Sequence, residues 1–341
     1  MGLPSVSVII VNYNGRAFLP VCLGSLCKMD YPQDKLELIL VDNNSSDGSV
    51  AYIQESFPRV KIQQMDRNYG FCRPNNEGAM IAGGKLIAFL NNDAEVTAGW
   101  LRALVRPALE DPEVASVASK MIYYDRRDTI NTAGGKITII GGGFYRGYGD
   151  KDVAKYDEPG YTGFGCAAGV LVRRDFFLDS GGFDEDYFAA CEEHDLAWRA
   201  WLYGHKVAYA PAAVMYHHES GTFGTRSNYD PAKVYLNTRN RLYNLVKNLD
   251  GGNVVRGMLI SLGFNTYRWL RMLFSGNPAA AGAICRGHCD FLKHLGKSLS
   301  KRRQVQKRRT RSDSELYRLG VIATLKESVA EERRLSRLAK F

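Results

Sequence analysis

Short, uninterrupted apolar runs alternate with helix-like patterns over the first 120 residues, and this alternation constrains the fold more than any other feature of the chain. VSVIIV (6–11), LELILV (36–41), VKIQQ (60–64) and LIAFL (86–90) have strand length and β-branched enrichment, and VASVAS (114–119) follows. Between them lie helical patterns at 16–28, near 48–56, from Pro74 to about Ala82, and at 98–109. Pro74 suits the first turn of a helix, where its missing N–H costs nothing. Runs that are apolar on both faces belong to strands covered on both sides. With helices between them they make βαβ units and a parallel sheet. The expected fold class is α/β, a mostly parallel sheet flanked by helices.

The rest of the chain changes character in steps. Residues 121–165 are rich in Gly and Tyr (GGGFYRGYG) and read as extended loop or ribbon. CAAGVLVRR reads as a strand, 191–203 as a helix, AYAPAAVMY as strand-like, and 231–249 as a helix closed by Asp250-Gly-Gly. Beyond 250 the charge shifts. Residues 251–341 carry 19 Lys/Arg against 6 Asp/Glu, whereas 1–250 carry 26 against 30, so the formal charge of +9 belongs to the tail. The expected organisation is a catalytic or binding body over 1–250, with 1–120 and 121–250 as its parts, and a basic, amphipathic helical extension over 251–341. KRRQVQKRRTR (301–311) holds seven basic residues. A nucleic-acid-binding protein would use such a run, but it leaves the acidic body and its carboxylates unexplained, so no nucleic-acid partner is expected.

Several classes are excluded. No run of 18 uncharged apolar residues is present, so a spanning helix is not expected. Met1 leads into a strand pattern without a basic n-region, and Val6 stands where a myristoylation signal needs Ser or Thr. The seven cysteines form no CxxC pair and read as reduced thiols. No P-loop and no strand-turn-helix GxGxxG occurs, which argues against P-loop enzymes and dinucleotide oxidoreductases.

Four clusters carry chemistry. Asp42 follows LILV, and Asp93 follows LIAFLNN. Both carboxylates stand at strand ends, where an open α/β sheet binds its ligands. Each has the alternative of capping the following helix. Asn91-Asn92-Asp93 offers three oxygen-bearing side chains, a donor set for Mg²⁺ or Mn²⁺ bound with phosphates. In GGFDEDYFAACEEHDLAWRA, Glu192, Glu193 and Asp195 fall within one helical turn. They are either a crowded set with a raised pKa, suited to general-base work, or a solvated acidic helix start. Tyr216-His217-His218-Glu219-Ser220 places two imidazoles after a strand, as ligands or as ordinary surface residues.

Taken in order, VSVIIVNYNG, LILVDNNSSDGS, NYGFCRPNNEG, FLNNDAEV, CAAGVLVRR, GGFDEDYFAACEEHDLAWRA, YHHESG and RNRLYNLVKN resemble the family 2 glycosyltransferases of the GT-A fold, in their rhamnosyltransferase-like branch, over roughly residues 5–249. The resemblance implies a Rossmann-like nucleotide-binding sheet and an inverting transfer from a dTDP-, UDP- or GDP-sugar with a divalent cation. It implies a saccharide or lipid-linked saccharide acceptor, in the synthesis of cell-surface polysaccharide. By the same resemblance Asn12, Tyr13, Asp42, Asn76, Asn91, Asn92 and Asp93 surround the nucleotide-sugar, and Asp93 with His217 holds the metal. The base is ranked Glu193, then Glu192, then Asp195, since Glu192-Glu193 falls where the family has Glu-Asp. Asn91 replaces the first Asp of the family's DxD; with Glu193, this departure leaves an inactive scaffold as the alternative. The tail suggests peripheral attachment to an anionic membrane surface on the cytoplasmic side, with packing on the catalytic part or on a second subunit as its alternative.

Overall fold

The computed structural model describes residues 2–218 and 229–338. Compactness divides the described residues into two units: one of residues 2–135, 145–188 and 205–218, the other of residues 136–144, 189–204 and 229–338.

The first unit is built on the apolar runs. Strands β1 (Val6–Asn12), β2 (Leu36–Asp42), β3 (Lys61–Gln64) and β4 (Leu86–Asn91) pair in parallel, with helices α1 (Leu19–Cys27), α2 (Ser49–Ser56) and α3 (Cys72–Ile81) in the crossovers. β5 (Ala94–Val96) and helix α4 (Trp100–Glu110) lead into β6 (Val114–Tyr123), every residue of which is buried. Short strands follow, β7 (Ile130–Thr132), then β8 (Gly135–Thr138) and β9 (Gly143–Tyr145), whose residues 136–144 belong to the second unit, and β10 (Gly160–Tyr161), so the expected ribbon is a set of brief ladders joined by glycine turns. β11 (Gly169–Arg173) inserts antiparallel between β4 and β6, and helix α5 (Arg174–Asp179) follows.

After helix α6 (Glu192–Leu202), β12 (Lys206–His217) pairs parallel with β6 and antiparallel with β5. Among the described residues the sheet runs β10-β12-β6-β11-β4-β1-β2-β3. It is mixed and mostly parallel, as expected. Its core joins Val8, Ile10, Leu40, Leu90, Trp100, Leu104 and Met215. At about 25 cal/mol per Å² of apolar surface, such burial is the main stabilising term.

Besides α6, the second unit contains the helices α7 (Pro231–Asn248), α8 (Gly251–Phe274), α9 (Pro278–Lys293), α10 (Leu295–Arg308), α11 (Asp313–Arg318) and α12 (Leu325–Leu338), with β13 (Ile322–Ala323) parallel to β8. Asp250 does not close α7 as expected. Its carboxylate accepts from the Asn253 amide at 3.0 Å and so caps α8, whose first two residues are the glycines.

The basic run is a second correction. Arg302 donates to the carbonyls of Val246 (2.6 Å) and Leu249 (2.5 Å), Gln306 to those of Lys247 (3.0 Å) and Asn248 (3.2 Å), and Arg309 to that of Asn248. Arg311 donates to Gly204 O at 2.7 Å. These acceptors are the open carbonyls that end α7 and follow α6, where cationic donors are favoured. Three of the seven cations of the run are therefore internal scaffolding.

Candidate active site

Parallel register sets the first group of residues. Asn12 pairs with Asp42 and Val11 with Asn91, so β1, β2 and β4 end side by side with their polar residues just past the apolar runs. Asn12 sits at the centre. It donates to Asp42 Oδ1 (3.2 Å) and to Ser45 Oγ (3.1 Å), and accepts from Asn92 Nδ2 (2.8 Å). Asp42 Oδ2 accepts from the Ser45 amide at 2.9 Å. That bond closes a turn within the β2–α2 loop; α2 begins only at Ser49, behind Gly48, so the helix-cap reading of Asp42 fails. The cap reading of Asp93 fails likewise, because α4 starts at Trp100 behind Gly99. Tyr13 stands beside the cluster in sequence and is partly exposed.

Gly15 is what lets this cluster close. A Cβ there would lie 2.1 Å from Asn92 Nδ2 and 2.5 Å from Asn12 Oδ1. Sequence reading pointed to Asn12 and Tyr13 in the NYNG segment and passed over Gly15. It also missed Ser45, which holds the Asn14 amide (2.9 Å) as well as Asn12. A Gly or Ser one turn beyond a strand-end Asn or Asp is the signal that was present.

Asp93 lies just past β4, buried, with its Oδ1 3.2 Å from His217 Nε2. His217 is delivered by the antiparallel pairing of β12 with β5, and its Nε2 is also 3.3 Å from Asn91 Nδ2. Burial pushes the Asp93 carboxyl upward, but His217 beside it prevails and holds it below the usual carboxylate range. His218 turns elsewhere and stacks on Tyr124 at 3.8 Å. Glu219 and Ser220 lie outside the described residues.

The chemistry of this pair suits a divalent cation. Two cis ligands at 2.0–2.1 Å in an octahedral shell are separated by roughly 3 Å, close to the 3.2 Å between Asp93 and His217. Among the described residues no group of three or more His, Cys, Asp or Glu is placed to hold a metal ion alone. A cation here would take its remaining ligands from a bound diphosphate and water, as Mg²⁺ does at phosphate sites. Asn76 is differently committed: its amide donates to Phe183 O (2.8 Å) and accepts from the Phe183 amide (2.9 Å). Its polar atoms tie α3 to the segment before residue 185, which is not where the expected nucleotide-sugar contact would put them.

The second group belongs to the other unit. Ala190 and Cys191 both adopt positive φ (73° and 69°), an uncommon backbone for residues with a Cβ. They bring α6 in abruptly, and Asn240 and Asn244 of α7 hold the turn by donating to Ala189 O, Ala190 O and Cys191 O. The acidic helix start is not solvated: Glu192, Glu193 and Asp195 are 6%, 9% and 0% exposed. Burial first, then the neighbouring Glu193 charge, pushes Glu192 well above the ordinary carboxylate range, and its Oε2 has no hydrogen-bond partner among the described residues. Asp195 has another role. Arg199 (2.9 Å), Lys247 (2.8 Å) and Asn248 (3.0 Å) occupy its two oxygens. It neutralises buried cations and drops out as a candidate base.

A mixed, mostly parallel sheet with polar residues at the ends of its strands and an Asp93–His217 pair defines an α/β class. Comparison with solved structures places the fold among the GT-A glycosyltransferases. S. aureus TarS 1–349 in complex with UDP is similar at a TM-score of 0.53 and 17% identity, covering 93% of this chain and 92% of that one. GalNAc-T7 with UDP, GalNAc and Mn²⁺ is similar at 0.57 and 19%, covering 72% and 48%.

The family model described as glycosyl transferase family 2 matches residues 7–179, and the chain belongs to that family. Among curated relatives, the O-antigen biosynthesis protein RfbC of Myxococcus xanthus is 30% identical over 237 residues, 65% of this chain and 18% of that protein. The probable N-acetylgalactosaminyltransferase 9 of Caenorhabditis elegans is 25% identical over 271 residues, 71% and 46%. The chain thus spans less than half the length of these relatives.

Proposed function

We propose that the protein is an inverting glycosyltransferase that moves a sugar from a nucleotide-diphosphate donor to a hydroxyl of a saccharide or lipid-linked saccharide in cell-surface polysaccharide synthesis. The observation that carries this reading is the pair of polar groups at the ends of β1, β2 and β4, where Asn12 is hydrogen-bonded to Asp42 and Asn92, and Asp93 is paired with His217. Family membership supports it, as does the UDP bound in the TarS complex. The donor is a dTDP-, UDP- or GDP-sugar, with rhamnose as one candidate for the sugar. The M. xanthus O-antigen relative supports the polysaccharide role.

Transfer with inversion is one in-line displacement at the anomeric carbon. The acceptor hydroxyl needs a base, and the departing diphosphate needs compensation of its charge. A buried carboxylate at the start of α6 serves as the base, with Glu193 ranked first and Glu192 keeping its proton to higher pH beside it. Asp42 and Asn12 hold the nucleotide. A Mg²⁺ or Mn²⁺ ion, held by Asp93 and His217, would supply charge neutralisation on the diphosphate.

In this reading residues 1–250 form the catalytic part and 251–341 the extension. The extension also carries a peripheral attachment to the inner face of the cytoplasmic membrane. No described helix is long and apolar enough to cross a membrane. α8, however, leaves an apolar stripe exposed. Donor hydrolysis or transfer by the purified protein, assayed across nucleotide-diphosphate sugars with Mn²⁺, tests the activity. Binding of a nucleotide diphosphate without any turnover would leave the inactive-scaffold alternative standing and sink the enzyme reading.

A further inference from the structure

The second unit contains a cavity of about 700 Å³, within the range of small-molecule sites. Ile139, Phe144, Ile260, Phe264, Leu325 and Val329 give it apolar walls, and Arg241 enters it from α7. Its construction depends on glycines. Gly141, at φ +80°, lets the loop between β8 and β9 lie on α7, since a Cβ there would meet Arg241 O at 1.9 Å. Gly142 passes the Arg241 guanidinium, its Cβ position 2.7 Å from Nε, and Gly257 of α8 lies against Ile139 O. The GGGF segment therefore shapes this wall.

The charges around the cavity are incompletely balanced. Arg241 and Arg268 approach the same ring, Phe264, at 6.0 and 5.6 Å. Neither Arg241 Nε nor Arg268 Nη1 finds a hydrogen-bond acceptor among the described residues. Burial, reinforced by the like charges of Arg241 and Arg271, lowers Arg268 to about 10, and Glu332 opposes this only in part. Glu331, the other acid on the wall, is paired with Arg334 at 2.6 Å. Arg241 on the cavity wall and Arg268 near the same Phe264 ring are both half-buried and have open donors. They face Glu332 as the carboxylate on the wall not paired with Arg334, and so call for an anion with an apolar body.

We propose that this cavity binds a lipid-type anion, with an alkyl or isoprenoid chain in the apolar chamber and its phosphate held by Arg241 on the wall, Arg268 beside Phe264 adding its charge. The site rests on the transferase reading only for its use, as the seat of a lipid-borne acceptor. Arg241 also bears electrostatically on Cys191 and His194 at the start of α6, so the anion would sit on the same side chain that faces the acidic cluster.

Calorimetric titration of the full chain with decyl phosphate, below its micellar concentration and without any donor, tests the proposal. Octyl phosphate, decanol and inorganic phosphate are titrated alongside. Decyl phosphate should saturate and should bind roughly fifteenfold tighter than octyl phosphate, since each of the two extra buried methylenes contributes about a fourfold factor. Inorganic phosphate and decanol should each bind far more weakly. Gly263 lies on the cavity wall with open space where its Cβ would be. Gly263→Leu should fill the chamber and weaken decyl phosphate at least about tenfold, with melting temperature held or raised because leucine favours the helix. Arg268→Gln should cost about tenfold for decyl phosphate and nothing for decanol.

If inorganic phosphate binds as well as decyl phosphate, the site takes free phosphate and the lipid assignment is overturned. Unchanged decyl phosphate binding in Gly263→Leu overturns the location. Nucleotide-diphosphate binding, titrated separately, keeps the two readings apart, because either ligand can fail without the other.

Discussion

Asp93 illustrates how position and partner combine at the scale of one residue. Its place at the end of β4 was legible, because a carboxylate after an apolar run is a local signal. Its partner was only suggested: His217 comes from a strand more than 120 residues away, through pairing of β12 with β5. Asp93→Asn should lower turnover on the order of a hundredfold or more and abolish metal-dependent donor binding. Circular dichroism should remain native. Near wild-type turnover, or indifference to EDTA, would remove the metal assignment. Glu193→Gln should abolish transfer while donor affinity stays within about twofold, because a base touches the acceptor hydroxyl and not the nucleotide.

Glu192 gives a separate, thermodynamic reading. Its folded pKa lies well above the unfolded value of about 4.3, so the native state binds the proton more tightly than the unfolded chain does. Its contribution to stability is full at low pH and declines as pH rises from about 4.3 through the folded pKa. Glu192→Gln should therefore flatten the loss of stability between acidic and neutral pH. A denaturation series that keeps the wild-type slope would place the proton elsewhere.

At the scale of elements, the parallel core was readable because strands buried on both faces announce themselves as apolar runs. Helix α7 was readable as a helix, but the work of its polar face was not. Asn240, Asn244, Lys247 and Asn248 recur at helical spacing and look like a solvated stripe, yet they hold the strained entry of α6 and neutralise Asp195. Spacing shows that residues share a face; it does not show what that face meets. The basic run 301–311 misleads for the same reason, since its partners are backbone carbonyls, which carry no sequence signature. Lys247→Ala removes one cation from buried Asp195 while Arg199 remains, which should cost about 3 kcal/mol. Urea denaturation measures it. A cost within a few tenths of a kcal/mol would mean the ion pair is not formed.

At the scale of the whole molecule, the remaining feature is the stripe on α8. Val255, Leu259, Leu262, Leu270 and Leu273 are all more than a third exposed, and they lie on one face over roughly 27 Å of helix. No Asp or Glu occurs from 251 to 289. Arg256 on α8, and Arg303, Lys307 and Arg308 on α10, remain exposed after the internal arginines of the basic run are set aside. An exposed apolar face together with exposed cations is the pattern of a helix lying in a headgroup plane, with each cation worth about 1 kcal/mol at an anionic leaflet. Removing residues beyond 250 is a poor test, because Arg302, Gln306 and Arg309 close the carbonyls of α7 and the fragment would lose that support.

Substitution within the intact chain avoids this. Val255, Leu262 and Leu270 belong to the stripe but not to the cavity wall. The triple change V255E, L262E and L270E should leave the melting temperature nearly unchanged, as exposed positions do. The wild-type protein should float with anionic liposomes at low salt and release at high salt, and the triple variant should stay at the bottom. If the variant instead converts a dimer to a monomer while liposome binding is unaltered, the stripe is covered by a second copy of the chain and the membrane reading falls.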